Sequence, residues 1–106
     1  MLPLALRHCR HRTDALEASA IEAALAELPG WTFAGDKIAK SFAFANYRET
    51  VAFVNAVAWI AEREDHHPDL HVGYGRCRVE CSTHSAGGVS ENDLILAARI
   101  EALFEA

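Results

Sequence analysis

Four of the six histidines fall between positions 66 and 84, and three of them have the placement to work together: the adjacent pair His66 and His67, and His84. Imidazole is the side chain that most readily takes up and releases protons near neutral pH. Several rings in one pocket could act as acid and base on opposite sides of a substrate. The carboxylates Asp65, Asp69 and Asp93 are available to orient or tune them. Three histidines could also hold zinc, although neighbours such as His66 and His67 tend to point in different directions. His71 alternates away from Leu70 and Val72 and reads as exposed, while His8 and His11 belong to the N-terminal segment.

The elements around these residues explain how they could meet. A first helix is expected from Asp14 to Leu28, with Asp14 as cap and Glu17 at the capping-box position. Leu16, Ile21, Ala24, Leu25 and Leu28 recur at helical spacing, and Pro29-Gly30 stops the run. Trp31 to Ala34 and Lys37 to Phe44 read as two strands joined by a tight Gly35-Asp36 turn. Ile38, Phe42 and Phe44 share one face, and Lys40 marks the rim. Asn46 and Glu49 open a second helix that runs to about Arg63. Its apolar residues, among them Val54, Val57, Trp59 and Ile60, exceed the single stripe that one packing surface requires. A second copy of the chain is the natural partner for the surplus.

His66 and His67 follow this helix, and Pro68 biases His67 toward an extended conformation. Leu70, Val72 and Tyr74 alternate as a third strand, and Gly75-Arg76 turns the chain. Cys77, Val79, Cys81 and Thr83 alternate as a fourth. If these two strands pair as a hairpin, His84 returns beside the His66-His67 corner. Ser90 caps a last helix, with Asp93 three residues on, that ends near Phe104. The order α-β-β-α-β-β-α predicts an α+β fold: a two-layer sandwich with a four-stranded antiparallel sheet and three helices on one face. Residues 1–12 read as a flexible N-terminal tail and 13–106 as the folded domain.

Composition narrows the function. The chain has 106 residues and a net charge of −5, with its basic residues concentrated only at Arg7, Arg10 and Arg12, which argues against nucleic acid. No apolar run approaches the roughly 18 residues of a membrane span, and Met1 to Leu6 is too short for an export signal. A cytoplasmic location is the expectation. Cys9, Cys77 and Cys81 suggest neither a disulfide framework nor a metal pair, since four residues along a strand span about 13 Å; the last two read as small buried side chains.

Glu62, His66-His67-Pro68, Tyr74, Ser82-Thr83-His84 and Asp93 together resemble the signature of the pterin-4a-carbinolamine dehydratases. Each spacing is met: an acidic residue four before the His-His-Pro, an aromatic after a short gap, a histidine after nine more residues, and an aspartate beyond. The likeness extends upstream through Trp31, Phe42, Phe44 and Phe53. Leu70, Gly73, Gly75 and Cys81 depart from the more usual residues, which bears on pocket shape and hairpin rigidity. The resemblance implies dehydration of 4a-hydroxytetrahydropterin to quinonoid dihydropterin, which recycles the cofactor of aromatic amino-acid hydroxylases. It implies no metal and no bound cofactor, the pterin being substrate, and a homodimer or homotetramer. His66 and His84 are then the expected acid–base pair and His67 chiefly positions the pterin. Asp65, Pro68, Ser82, Thr83, Ser85 and Asp93 are expected around the ring, Asp93 being equally suited to capping. Animal relatives also serve as dimerisation cofactors for a transcription factor, so a non-enzymatic interaction module is the alternative.

Overall fold

A computed structural model describes residues 2–105. Its elements are α1 (Ala18–Leu25), β1 (Thr32–Ala34), β2 (Lys37–Ala43), α2 (Tyr47–Glu64), β3 (Asp69–Val72), β4 (Arg76–Cys81) and α3 (Glu91–Glu101), with short 3₁₀ turns at Leu4–Leu6, His84–Ala86 and Ala102–Phe104. The strands form one antiparallel sheet in the order β1-β2-β4-β3. The three helices lie on one face, as the alternating pattern predicts.

Period-two alternation decides which strand residues face the helices. Cys77, Val79 and Cys81 are wholly buried, while Arg76 and Arg78 point to the open face. Both strand cysteines are thus small core residues. Ile38, Phe42, Val57, Leu96 and Ile100 complete the core, and each such side chain contributes about 1.5–3 kcal/mol by leaving water. Phe42 packs edge-on to Trp31 at 6.1 Å and lies 4.7 Å from Phe53. Lys40, at the rim, bonds Glu101 Oε1 at 2.5 Å, and the Trp31 indole N–H donates to the same oxygen. The β3–β4 hairpin needs Gly75, because a Cβ there would sit 2.9 Å from the Phe44 carbonyl oxygen, whose own N–H donates to the Gly75 carbonyl.

Three expectations need correction. The first helix begins at Ala18 rather than Asp14, and Glu17 occupies the N-cap without a side-chain cap bond. The Leu16 N–H donates instead to the Val89 carbonyl at 2.8 Å, which draws residues 14–16 along the loop before α3. The helix also stops at Leu25, and single 3₁₀-type bonds carry the chain on to the buried Leu28. Residues 2–12 do not hang free: they lie against α2 and α3, held by bonds from both helices. Met1 lies outside the described residues.

The second helix buries Phe53, Val57 and Ala61, an i, i+4, i+8 stripe. Trp59 is 62% exposed and Tyr47 55%. The surplus apolar surface read from the sequence is therefore uncovered in the single chain.

Candidate active site

Register brings the site together. Asp69 pairs with Glu80 across β3 and β4, so His66, three residues before one strand position, and His84, four residues after the other, belong to the same end of the sheet. Asn46 caps α2 by accepting the Glu49 N–H, and Asp65 ends it in the left-handed conformation at φ 51°. An aspartate tolerates that region better than most residues, and the His66 N–H then donates back to the Ala61 carbonyl. This closure turns His66 toward the start of α3.

There it meets Asp93. The capping box expected from Ser90 and Asp93 is present, and the carboxylate does a second job. Oδ2 accepts the Ser90 N–H at 2.9 Å and the Thr83 hydroxyl at 2.7 Å, while Oδ1 lies 2.6 Å from His66 Nε2. Asp93 is fully buried, so an ionised carboxylate needs these partners. Opposite an ionised carboxylate, which only accepts, Nε2 is the donor, and a ring in its neutral form then has a bare Nδ1.

A cavity of about 490 Å³ opens beside this ring, lined in part by Asp65, His66, Thr83 and Ser85. Its size suits a small bicyclic ligand with a substituent. His67, Pro68, Ser82 and His84 do not line it. His67 instead pairs with Glu62 at 2.9 Å, both largely in water. His84 is exposed and lies between the two lining residues Thr83 and Ser85; its carbonyl accepts the Gly87 N–H, while its ring makes no hydrogen bond among the described residues. His71 is exposed, as read from the alternation, and reaches Glu80 at 3.2 Å. Among the described residues no three His, Cys, Asp or Glu side chains cluster so as to hold a metal ion.

Another part of the cavity lining was not legible in the sequence. It comprises Cys9, Arg10, His11 and Thr13, together with Asn92. The only trace was the concentration of basic residues at 7–12. Burial, followed by the charge of Glu64, pushes the Cys9 thiol up to about 12, so Cys9 is no nucleophile near neutral pH. Burial opposes the charge on Glu64, but the Cys9 N–H, the His8 ring and Arg99 outweigh it and hold that carboxyl below its usual range.

An antiparallel sheet under one helical layer, with a carboxylate-held histidine beside a polar cavity, defines the class: a small α+β sandwich. Comparison with known proteins names the family. The family model for Pterin 4 alpha carbinolamine dehydratase matches residues 14–103. A provisionally named pterin-4-alpha-carbinolamine dehydratase of Nitrosospira multiformis is 52% identical over 97 residues, covering 92% of this chain and 86% of the relative. One from Xanthomonas campestris pv. campestris is 51% identical over 111 residues, covering 99% and 93%. The crystal structure of a transcriptional coactivator/pterin dehydratase from Brucella melitensis superposes with a TM-score of 0.82 at 34% identity, over 85% of this chain and 98% of that one. A pterin dehydratase-like protein described as a RuBisCO assembly factor in the alpha-carboxysome gives 0.58 at 27% identity, over 72% and 88%. The chain belongs to the pterin-4a-carbinolamine dehydratase family.

Proposed function

We propose that the protein dehydrates 4a-hydroxytetrahydropterin to quinonoid dihydropterin and water by histidine acid–base chemistry. The observation that carries this reading is the His66–Asp93 contact at the cavity wall. His66 Nδ1, bare in the neutral ring, takes the proton from N5 of the pterin. The electron pair of that N–H bond becomes the C4a=N5 double bond, and the C4a–O bond breaks. Hydroxide leaves poorly, so an acid must protonate it, and His84 is assigned that role. Its exposed, unpartnered side chain can change rotamer and swing over the mouth formed by its neighbours Thr83 and Ser85. Exchange with water resets both rings. Each proton transfer contributes about 10²- to 10⁴-fold. Asp65, Thr83 and Ser85 offer polar contacts to the ring edge. His67, pointed away with Glu62, is left to position the substrate from the rim.

The same reading assigns the protein to the cytoplasm and to tetrahydropterin recycling beside an aromatic amino-acid hydroxylase. It also assigns it to a homodimer or homotetramer joined through the uncovered face of α2. The exposed Trp59 and Tyr47 favour, as a second reading, an interaction module without catalysis. The discriminating experiment measures loss of freshly generated 4a-hydroxytetrahydropterin. The enzyme reading predicts a rate well above the spontaneous one, cut by two orders of magnitude or more in a folded His84→Ala variant. A wild-type rate equal to buffer leaves only the interaction module.

A further inference from the structure

The family model begins at residue 14, yet Cys9, Arg10, His11 and Thr13 of this chain line the same cavity as His66. Their placement is built by specific anchors. The Cys9 N–H donates to Glu64 Oε1 at 2.8 Å, and His8 Nδ1 lies 3.0 Å from Oε2 of that carboxylate. The Asn92 side chain grips the backbone of Arg10 from both sides: its Oδ1 accepts the Arg10 N–H at 2.9 Å, and its Nδ2 donates to the Arg10 carbonyl at 2.8 Å. Arg99 donates to the Arg7 carbonyl, and Arg7 pairs with Glu91 at 3.0 Å. Glu64 stands two residues before His66, and Asn92 directly precedes Asp93. The groups that hold the histidine and the groups that hold the N-terminal strap are therefore neighbours on the same two helices.

We infer that the strap Cys9–Thr13 is the specificity wall of the substrate site, with Arg10 and His11 reading a hydrogen-bond-accepting or anionic substituent on the pterin. This rests on the pterin reading and deepens it. Three features support it. The strap contributes four residues to the lining of the cavity that His66 also lines. The anchors at Cys9 and Arg10 use their backbones, so the Arg10 and His11 side chains take no part in holding the strap's main chain. The donors on that wall, a guanidinium and an imidazole, complement acceptors. The Arg10 guanidinium does reach Glu91, but at 3.3 Å and with the side chain 68% exposed, a pairing weak enough to exchange for a ligand.

The test is the Arg10→Ala/His11→Ala double variant in the full chain, which keeps every backbone anchor. Steady-state dehydration is measured with pterins whose C6 substituent is either methyl or a hydroxylated or carboxylated chain. In parallel, binding of 7,8-dihydrobiopterin, which needs no turnover, is followed by calorimetry. The wild type should prefer the acceptor-bearing substrate. The double variant should raise its KM tenfold or more, weaken dihydrobiopterin binding to match, and alter the methyl compound's KM and either kcat by less than threefold. Asn92→Leu, which frees the Arg10 backbone, should give the same KM loss with a lower thermal midpoint. Unchanged KM and binding in a folded double variant overturn the strap's role alone. A wild type that binds no dihydropterin overturns the pterin reading, and this inference with it.

Discussion

Replacing Asp93 with asparagine changes one atom and should reverse the histidine it holds. The carboxylate uses its oxygens unequally: Oδ2 accepts two bonds, from Ser90 N–H and Thr83 Oγ1, and Oδ1 faces His66 Nε2 alone. An asparagine has one acceptor oxygen and one donor NH₂. The oxygen belongs where two donors converge, which turns the NH₂ toward His66. An Nε2–H opposite that NH₂ is a donor facing a donor, so the neutral ring must move its proton to Nδ1. The atom that would take the substrate proton is then occupied. General-base catalysis is worth about 10²- to 10⁴-fold, and kcat should fall by that factor. Stability should fall by only about 1.5–3 kcal/mol, the scale of one hydrogen bond to a charged group. Stopped-flow dehydration kinetics give kcat, ¹⁵N spectra of the imidazole give the tautomer, and a melt confirms folding. A folded variant with kcat within threefold of wild type, or with the proton still on Nε2, would show that Asp93 does not set the His66 tautomer for catalysis.

Other outcomes follow from the core, the sheet and the uncovered helix. Ile38 is wholly buried, so Ile38→Ala should cost about 2–5 kcal/mol in chemical denaturation. Arg78 first, then His71 and Lys37, outweigh burial and lower the Glu80 carboxyl to about 2. Its folded value lies below its unfolded one, so its contribution to stability is present above the usual carboxylate range and lost as pH falls toward 2. The gap in melting temperature between wild type and Glu80→Gln should accordingly shrink between pH 6 and pH 2; a constant gap would contradict the ion cluster. Trp59→Glu should shift sedimentation toward monomer without unfolding the chain, if the uncovered α2 face joins copies.

Local signals in the sequence carried most of the fold. Gly35-Asp36 and the hairpin around Gly75 set the strand pairs, while Asn46 and the Ser90–Asp93 pair set two helix starts, because each involves residues a few positions apart. The Asp14–Glu17 pattern was equally good locally and failed, because the Leu16 N–H found a distant carbonyl at Val89. The strap was illegible for the same reason: its anchors span 55 and 82 positions, from Cys9 to Glu64 and from Arg10 to Asn92. Asp93 lay between these cases. Its cap role is local and readable, but its hold on His66 crosses 27 positions and required the folded chain. His66 and His84 belong to one end of the sheet, yet of the three histidines only His66 lines the cavity.

Everything proposed for this site requires a pterin in the hollow shared by the strap and the Asp93-held ring. A crystal soaked with 7,8-dihydropterin tests it most directly. Density for the bicycle is expected against Thr83 and Ser85, with a ring nitrogen within hydrogen-bond reach of His66 Nδ1. Dihydropterin bound elsewhere, with that hollow holding only water, would contradict it.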